Sequence, residues 1–199
     1  MTRAGGAPRI GRALPVLLAL LALAATPSVP AQTVERQGYF DVRSASTTVN
    51  EGVVYLDARL QLVLSDDALA ALDNGVPLTI ELRLEVVRER RFLPDPADAE
   101  LVLRYQLEYR PLSQRYIVRN LNSGDQDSFA TLYSALNNLG RIQDLPVLDL
   151  SILDPDARYR MRLQAQLSTQ QYPAPLRLLF FWRDDWQLTS EWYEWSLER

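Results

Sequence analysis

Apolar residues recur at every second position over runs long enough to dictate the fold. Val54, Leu56, Ala58, Leu60, Leu62 and Leu64 alternate with Tyr55, Asp57, Arg59, Gln61 and Val63. Leu78, Ile80, Leu82, Leu84 and Val86 alternate with Thr79, Glu81, Arg83, Glu85 and Val87. The pattern returns at Leu101, Leu103, Tyr105, Leu107 and Tyr109, and again at Tyr159, Met161, Leu163, Ala165 and Leu167. A period of two sends successive side chains to opposite faces of a strand. One face is then apolar and the other wet and charged, the pattern of antiparallel strands covered on a single side. Tyr39 to Val49 precedes the first run, with Asn50-Glu51-Gly52 between them as a hairpin turn. Pro111-Leu112-Ser113-Gln114 joins the strand ending at Tyr109 to 115–120 as a second hairpin, and Pro94-Asp95-Pro96 closes a third.

Two segments abandon this period. Ser65 is placed to cap a helix over Asp66–Asp73, with acids in its first turn and Gly75 just past its end. Ser128 is placed to cap a second helix that carries Phe129, Leu132, Tyr133, Leu136 and Leu139 on one face and stops at Gly140. Both are short, so each needs packing on the sheet to persist. No internal repeat, low-complexity tract or linker interrupts the chain beyond its leader. The expectation is a mainly β fold, an antiparallel β-sandwich or a strongly curved sheet with two short helices.

Residues 1–31 have the make-up of a secretory signal peptide. Arg3, Arg9 and Arg12 precede a 13-residue apolar run from Ala13 to Ala25, and no acid occurs before Glu35. That run falls short of the ~20 residues of a spanning helix. Val29-Pro30-Ala31 offers a cleavage site after Ala31; an uncleaved anchor is the alternative. Cleavage leaves residues 32–199 as one β-rich domain with 18 arginines against 25 acids, a net charge of −7. That sign argues against nucleic acid as a partner. The expected location is the bacterial periplasm, with no stable membrane insertion after cleavage. The chain has no cysteine, so no disulfide helps hold an exported fold and the core must do so alone. About 70% of the unfolded surface can be buried at this length, enough for that task.

Histidine is also absent, and all 21 basic residues are arginine. Missing with them are the usual neutral-pH base, soft metal ligand, thiol nucleophile and Schiff-base amine. Carboxylates, hydroxyls, tyrosine and guanidinium remain. The densest acids, Asp184-Asp185, Glu191, Glu194 and Glu198, could supply the carboxylate pair of a glycosidase. Glu191 and Glu194, however, are three apart and face opposite sides of a regular strand, which favours solvated charge. Asp66-Asp67 and Asp154-Pro155-Asp156 lack the spacing of a calcium loop and read as a helix cap and a turn. Arg88, Arg90 and Arg91 could clamp a phosphate or carboxylate, but they end a long strand, where charge that discourages edge-to-edge association is the commoner explanation. Ser44, Ser46, Thr47 and Thr48 have no suitable base beside them. No catalytic residue, cofactor or metal site is expected.

All four tryptophans lie in one stretch, Trp182, Trp186, Trp192 and Trp195, with Phe180, Phe181 and Tyr193 among them. They either plug the core from a final strand or offer a contact surface, since tryptophan joins a large apolar face to one polar handle. Strand parity places Trp186, Leu188 and Trp192 on one face and Tyr193, Trp195 and Leu197 on the other. Aromatics on both faces leave Trp192, Tyr193 and Trp195 as the candidate contact residues.

Asn74-Gly75-Val76-Pro77-Leu78 follows the first capped helix, and the next strand ends in Arg88-Glu89-Arg90-Arg91. With Tyr105-x-Leu107-x-Tyr109, Leu112-Ser113-x-x-Tyr116 and Asp185-Trp186-x-Leu188-x-Ser190-Glu191-Trp192, these segments resemble a proteobacterial family of exported proteins, domain of unknown function 4390. The resemblance runs from about Phe40 to Leu197. It implies export and a single β-rich domain and carries no active site. The functional expectation is a non-enzymatic periplasmic module that binds a protein partner in the cell envelope, as a sensor or assembly component. A small-ligand or glycan-binding domain using the C-terminal aromatics is the alternative, and a carboxylate-only hydrolase the third.

Overall fold

Among the described residues, nine strands fold into two antiparallel sheets that share one apolar core. The computed structural model describes residues 36–90, 97–168 and 188–198. The leader expected over residues 1–31 and the turn at Pro94-Asp95-Pro96 lie outside these. The first sheet has the order β1-β2-β7, built from β1 (Tyr39–Asn50), β2 (Val53–Val63) and β7 (Arg141–Asp149). The second has the order β6-β5-β4-β3-β8-β9. Its strands are β3 (Leu78–Arg88), β4 (Ala97–Arg110), β5 (Arg115–Asn120), β6 (Gln126–Phe129), β8 (Tyr159–Ser168) and β9 (Tyr193–Ser196).

Each passage between the sheets carries helical residues. The helix α1 (Asp66–Asp73) links β2 to β3, α2 (Leu132–Leu139) links β6 to β7, and a 3-10 turn at Leu150–Ile152 follows β7 before β8. The alternation seen in the sequence aims the inner faces at one another, and of the two expected architectures the sandwich is the one formed. Leu82 sits between Leu103 and Ala165, and Leu84 between Leu101 and Leu163. Val54, Leu56, Ala58, Leu60 and Leu62 of β2 enter the same core from the other sheet. Burying each such leucine or valine side chain contributes about 1.5–3 kcal/mol, which holds the layers together without a covalent staple.

Turn chemistry matches the sequence at two hairpins. Glu51 and Gly52 both take positive φ, 50° and 81°, the two-residue turn whose twist suits adjoining antiparallel strands. Gln114 closes the β4–β5 hairpin at φ 52°. Ser65 caps α1 as expected, its Oγ accepting from the Ala68 N–H at 3.2 Å. For α2 the expected cap is corrected. Ser128 and Phe129 belong to β6, and Thr131 caps the helix, its Oγ1 accepting from the Ser134 N–H at 3.1 Å. The buried stripe of α2 is Ala135 and Leu139, with Leu132 and Leu136 half-covered, while Tyr133 is 78% exposed. The helix starts later than the sequence suggests because β6 pairs with β5 through Phe129, opposite Tyr116.

A second correction concerns β3. Its outward set was expected in water, yet Glu81 is 3% exposed and Glu85 8%, and Thr79 and Val87 are buried with them. β3 is flanked by β4 and β8, and the long side chains of both neighbours lie across it. Burial of this second face comes from the strand's central position.

Candidate functional site

The C-terminal segment joins the second sheet at its edge. The Leu167 N–H donates to the Leu188 carbonyl at 2.7 Å, and the Ser190 N–H to the Ala165 carbonyl at 2.8 Å. Ser190 Oγ accepts from the Ala165 N–H at 3.0 Å and donates to the Glu191 carbonyl at 2.8 Å. The chain leaves the ladder at Glu191 and Trp192 and returns as β9, with Tyr193 opposite Leu163 and Trp195 opposite Met161. This break changes the parity expected from the sequence. Leu188 is in the core and Trp192 is not, so those two do not share a face, whereas Tyr193, Trp195 and Leu197 do pack together on the core side.

All three candidate aromatics are half-buried. Tyr193 and Trp195 hold their rings 6.1 Å apart at 47°. The Trp195 indole N–H donates to Thr47 Oγ1 of β1 at 3.2 Å, a tie between the two sheets. Trp192 lies on the other side of the strand, where the Arg162 guanidinium sits 4.5 Å from its ring centroid. That spacing suits a cation–π contact. Trp182, Trp186, Phe180, Phe181 and Asp184-Asp185 lie outside the described residues.

Arg162 belongs to a lattice of charges over β3. Its Nε donates to Glu85 Oε2 at 2.8 Å. Arg104 Nε donates to Glu81 Oε1 at 3.1 Å, and Gln166 Nε2 to Glu81 Oε2 at 2.8 Å. Arg83 pairs with Glu100 and Arg160 with Glu194, each at 3.3 Å. Burial pushes the Glu81 carboxyl up, but hydrogen bonds from Gln166, Arg104 and Ser168 outweigh it and leave its pKa below the ordinary carboxylate value. A catalytic acid working near neutral pH needs the opposite shift. Glu194 and Glu191 are exposed. Neither is enclosed as such an acid would be.

Arg88 is likewise committed within the fold. Its Nε donates to Asp98 Oδ2 at 2.8 Å and its Nη1 to Asp154 Oδ2 at 3.3 Å. The Tyr159 hydroxyl donates to Asp98 Oδ2 at 3.0 Å, and the Arg88 guanidinium lies 5.6 Å from the Tyr159 ring. The Arg88 hydrogen bond, with a lesser one from Tyr159, holds Asp98 below its usual range. Asp154 Oδ1 accepts from the Asp156 N–H at 3.0 Å, the turn its spacing suggested. Arg91 lies outside the described residues.

Among the described residues no group of three or more acids is placed to share a metal ion, and no helix is long and apolar enough to cross a membrane. The sequence singled out the aromatic strand but missed Arg162 and the buried acids. Their partners come from strands up to 85 positions away, as Gln166 does for Glu81. No curated protein and no solved structure matches the chain. A family model matches residues 38–196, nearly all of the described fold. The chain belongs to the family described as Domain of unknown function (DUF4390).

Proposed function

We propose that this protein is an exported, non-catalytic module of the bacterial periplasm that binds a protein partner along the β9 edge. The observation that carries the reading is the placement of Trp192, Tyr193 and Trp195. Tyr193 and Trp195 lie on β9, the outermost strand of the six-stranded sheet among the described residues, and Trp192 directly precedes it; all three are half-exposed. A strand at a sheet edge can accept a further strand from a partner, and half-covered aromatics beside it supply the apolar anchors of an interface. The export half of the proposal rests on the sequence of residues 1–31. The downward shift of Glu81 and the ion pairs over β3 favour a binding role over carboxylate chemistry. A glycan platform is less favoured because Arg162 stands over the Trp192 ring where a sugar would stack.

The test is affinity capture from envelope fractions with tagged mature protein, repeated with Trp192→Ala and, as a surface control, Tyr133→Ala. One protein should be retained by wild type and Tyr133→Ala and lost with Trp192→Ala, which removes a contact of about 2 kcal/mol or more if it is an anchor. Capture that survives Trp192→Ala, or fails with Tyr133→Ala in a folded protein, moves the interface away from β9.

A further inference from the structure

The outer face of the first sheet holds a half-open pocket of about 270 Å³ spanning all three strands. Ser44 and Ser46 line it from β1, Asp57 and Arg59 from β2, and Arg141 and Gln143 from β7. Arg59 and Arg141 are direct cross-strand partners. Like charges directly opposite each other on neighbouring strands destabilise a sheet. Two other such pairs occur among the described residues, and in each both side chains are engaged by an ion pair or hydrogen bonds. Glu85 opposes Glu100, but Glu85 is paired with Arg162 and Glu100 with Arg83. Arg110 opposes Arg115, but Arg110 is paired with Glu108 at 3.3 Å, and Arg115 donates to Ser128 Oγ at 2.9 Å and to its carbonyl at 2.8 Å. Arg59 and Arg141 have no such partner among the described residues. Asp57, on their face, accepts from the Asp144 N–H at 3.3 Å.

The backbone is irregular at the same level. The β1–β2 register shifts between Val42 and Ser44, and the β2–β7 register between Leu56 and Ala58. Asp144 is held at φ 49°, a left-handed conformation uncommon for a residue other than glycine. Such interruptions re-aim side chains and gather at binding sites. From the opposed, unpaired guanidiniums set among hydroxyl and amide donors, we infer that this pocket is an oxyanion site that takes a phosphate or carboxylate group. Two guanidiniums can each present paired N–H donors to one such group, with Ser44, Ser46 and Gln143 able to complete its hydrogen bonding.

The pocket predicts two signatures that a merely exposed arginine pair would not give together. Inorganic phosphate should raise the melting temperature of the wild-type protein saturably, with sodium chloride of equal ionic strength as the reference. In phosphate-free buffer Arg59→Gln and Arg141→Gln should each melt higher than wild type, because the repulsion is gone, and should lose the response to phosphate. Calorimetric titration should show affinity falling about tenfold or more for either variant, since each removes charge-assisted hydrogen bonds. Arg119→Gln, on the distant β5, should bind phosphate as wild type does. Acetate and glycerol phosphate in parallel titrations tell a carboxylate from a phosphate preference and a free ion from an esterified one. A phosphate effect no greater than that of chloride, or equal losses in Arg119→Gln and Arg59→Gln, would overturn the assignment.

Discussion

Leu82 and Arg83 are neighbours in the chain and opposites in environment. Leu82 is 1% exposed between Leu103 and Ala165, so Leu82→Ala removes packed volume that the surrounding strands cannot refill. It should cost about 2–5 kcal/mol. Arg83 keeps its side chain partly in water against Glu100, and Arg83→Ala should cost about 1 kcal/mol or less. Urea midpoints check both, and equal losses would contradict the assignment of the two faces. Glu81 falls between them. Glu81→Ala strands the Arg104 and Gln166 donors and should cost about 1–3 kcal/mol. The alternation of β3 separates Leu82 from Arg83 by inspection. It does not separate Glu81, which is covered, from Arg59, which is exposed, although both occupy outward positions. What distinguishes them is how long the side chains of the neighbouring strands are and which way they lie, and those neighbours are distant in sequence.

Among elements, legibility follows how local the determining interactions are. The α1 helix was readable because Ser65, Asp66 and Gly75 satisfy its ends from within a few residues. The α2 start is not legible locally because both Ser128 and Thr131 can cap, and pairing of Phe129 with Tyr116 decides between them. Thr131→Ala should therefore destabilise the protein by about 1 kcal/mol, as should Ser65→Ala. Ser128→Ala should leave α2 unaffected and lose only the contact with Arg115. Helical circular dichroism with urea titration measures this, and a larger loss for Ser128→Ala than for Thr131→Ala would reverse the cap. β6 and β7 escaped the sequence reading for related reasons. The four residues of β6 show no alternation, and β7 contains Pro146 and the left-handed Asp144. Among the described residues both are edge strands, held by a partner rather than by a pattern of their own. The same holds for the break at Glu191 and Trp192, where Ser190 turns the chain by bonding β8.

Among the described residues, three carboxylates are held below their ordinary pKa values. They are Glu81 within the charge lattice, Asp98 beneath Arg88, and Asp149 bonded to Ser151. A depressed folded-state pKa stabilises the protein above the unfolded value and loses that contribution as pH falls through the folded one. Stability should therefore be level near neutrality and decline in acid, below about pH 4. Arg88→Gln should flatten the decline by releasing Asp98. Thermal unfolding from pH 7 downward measures this; an acid limb unchanged in Arg88→Gln would mean that the Arg88–Asp98 pair adds nothing to stability. Tyr105 acts at the other extreme, since burial raises its pKa. Its contribution should fade as pH rises past about 10. The sequence by itself determined the strand periods, two of the turns, the α1 cap and the lack of thiol, imidazole and amine chemistry, because each depends on a residue or its near neighbours. Tertiary structure alone decided which outward faces are covered, where α2 begins, and that Arg162 meets Trp192 while Arg59 meets Arg141. Those outcomes require strands far apart in the chain to lie side by side, and strand order is not encoded in the alternation of any one strand.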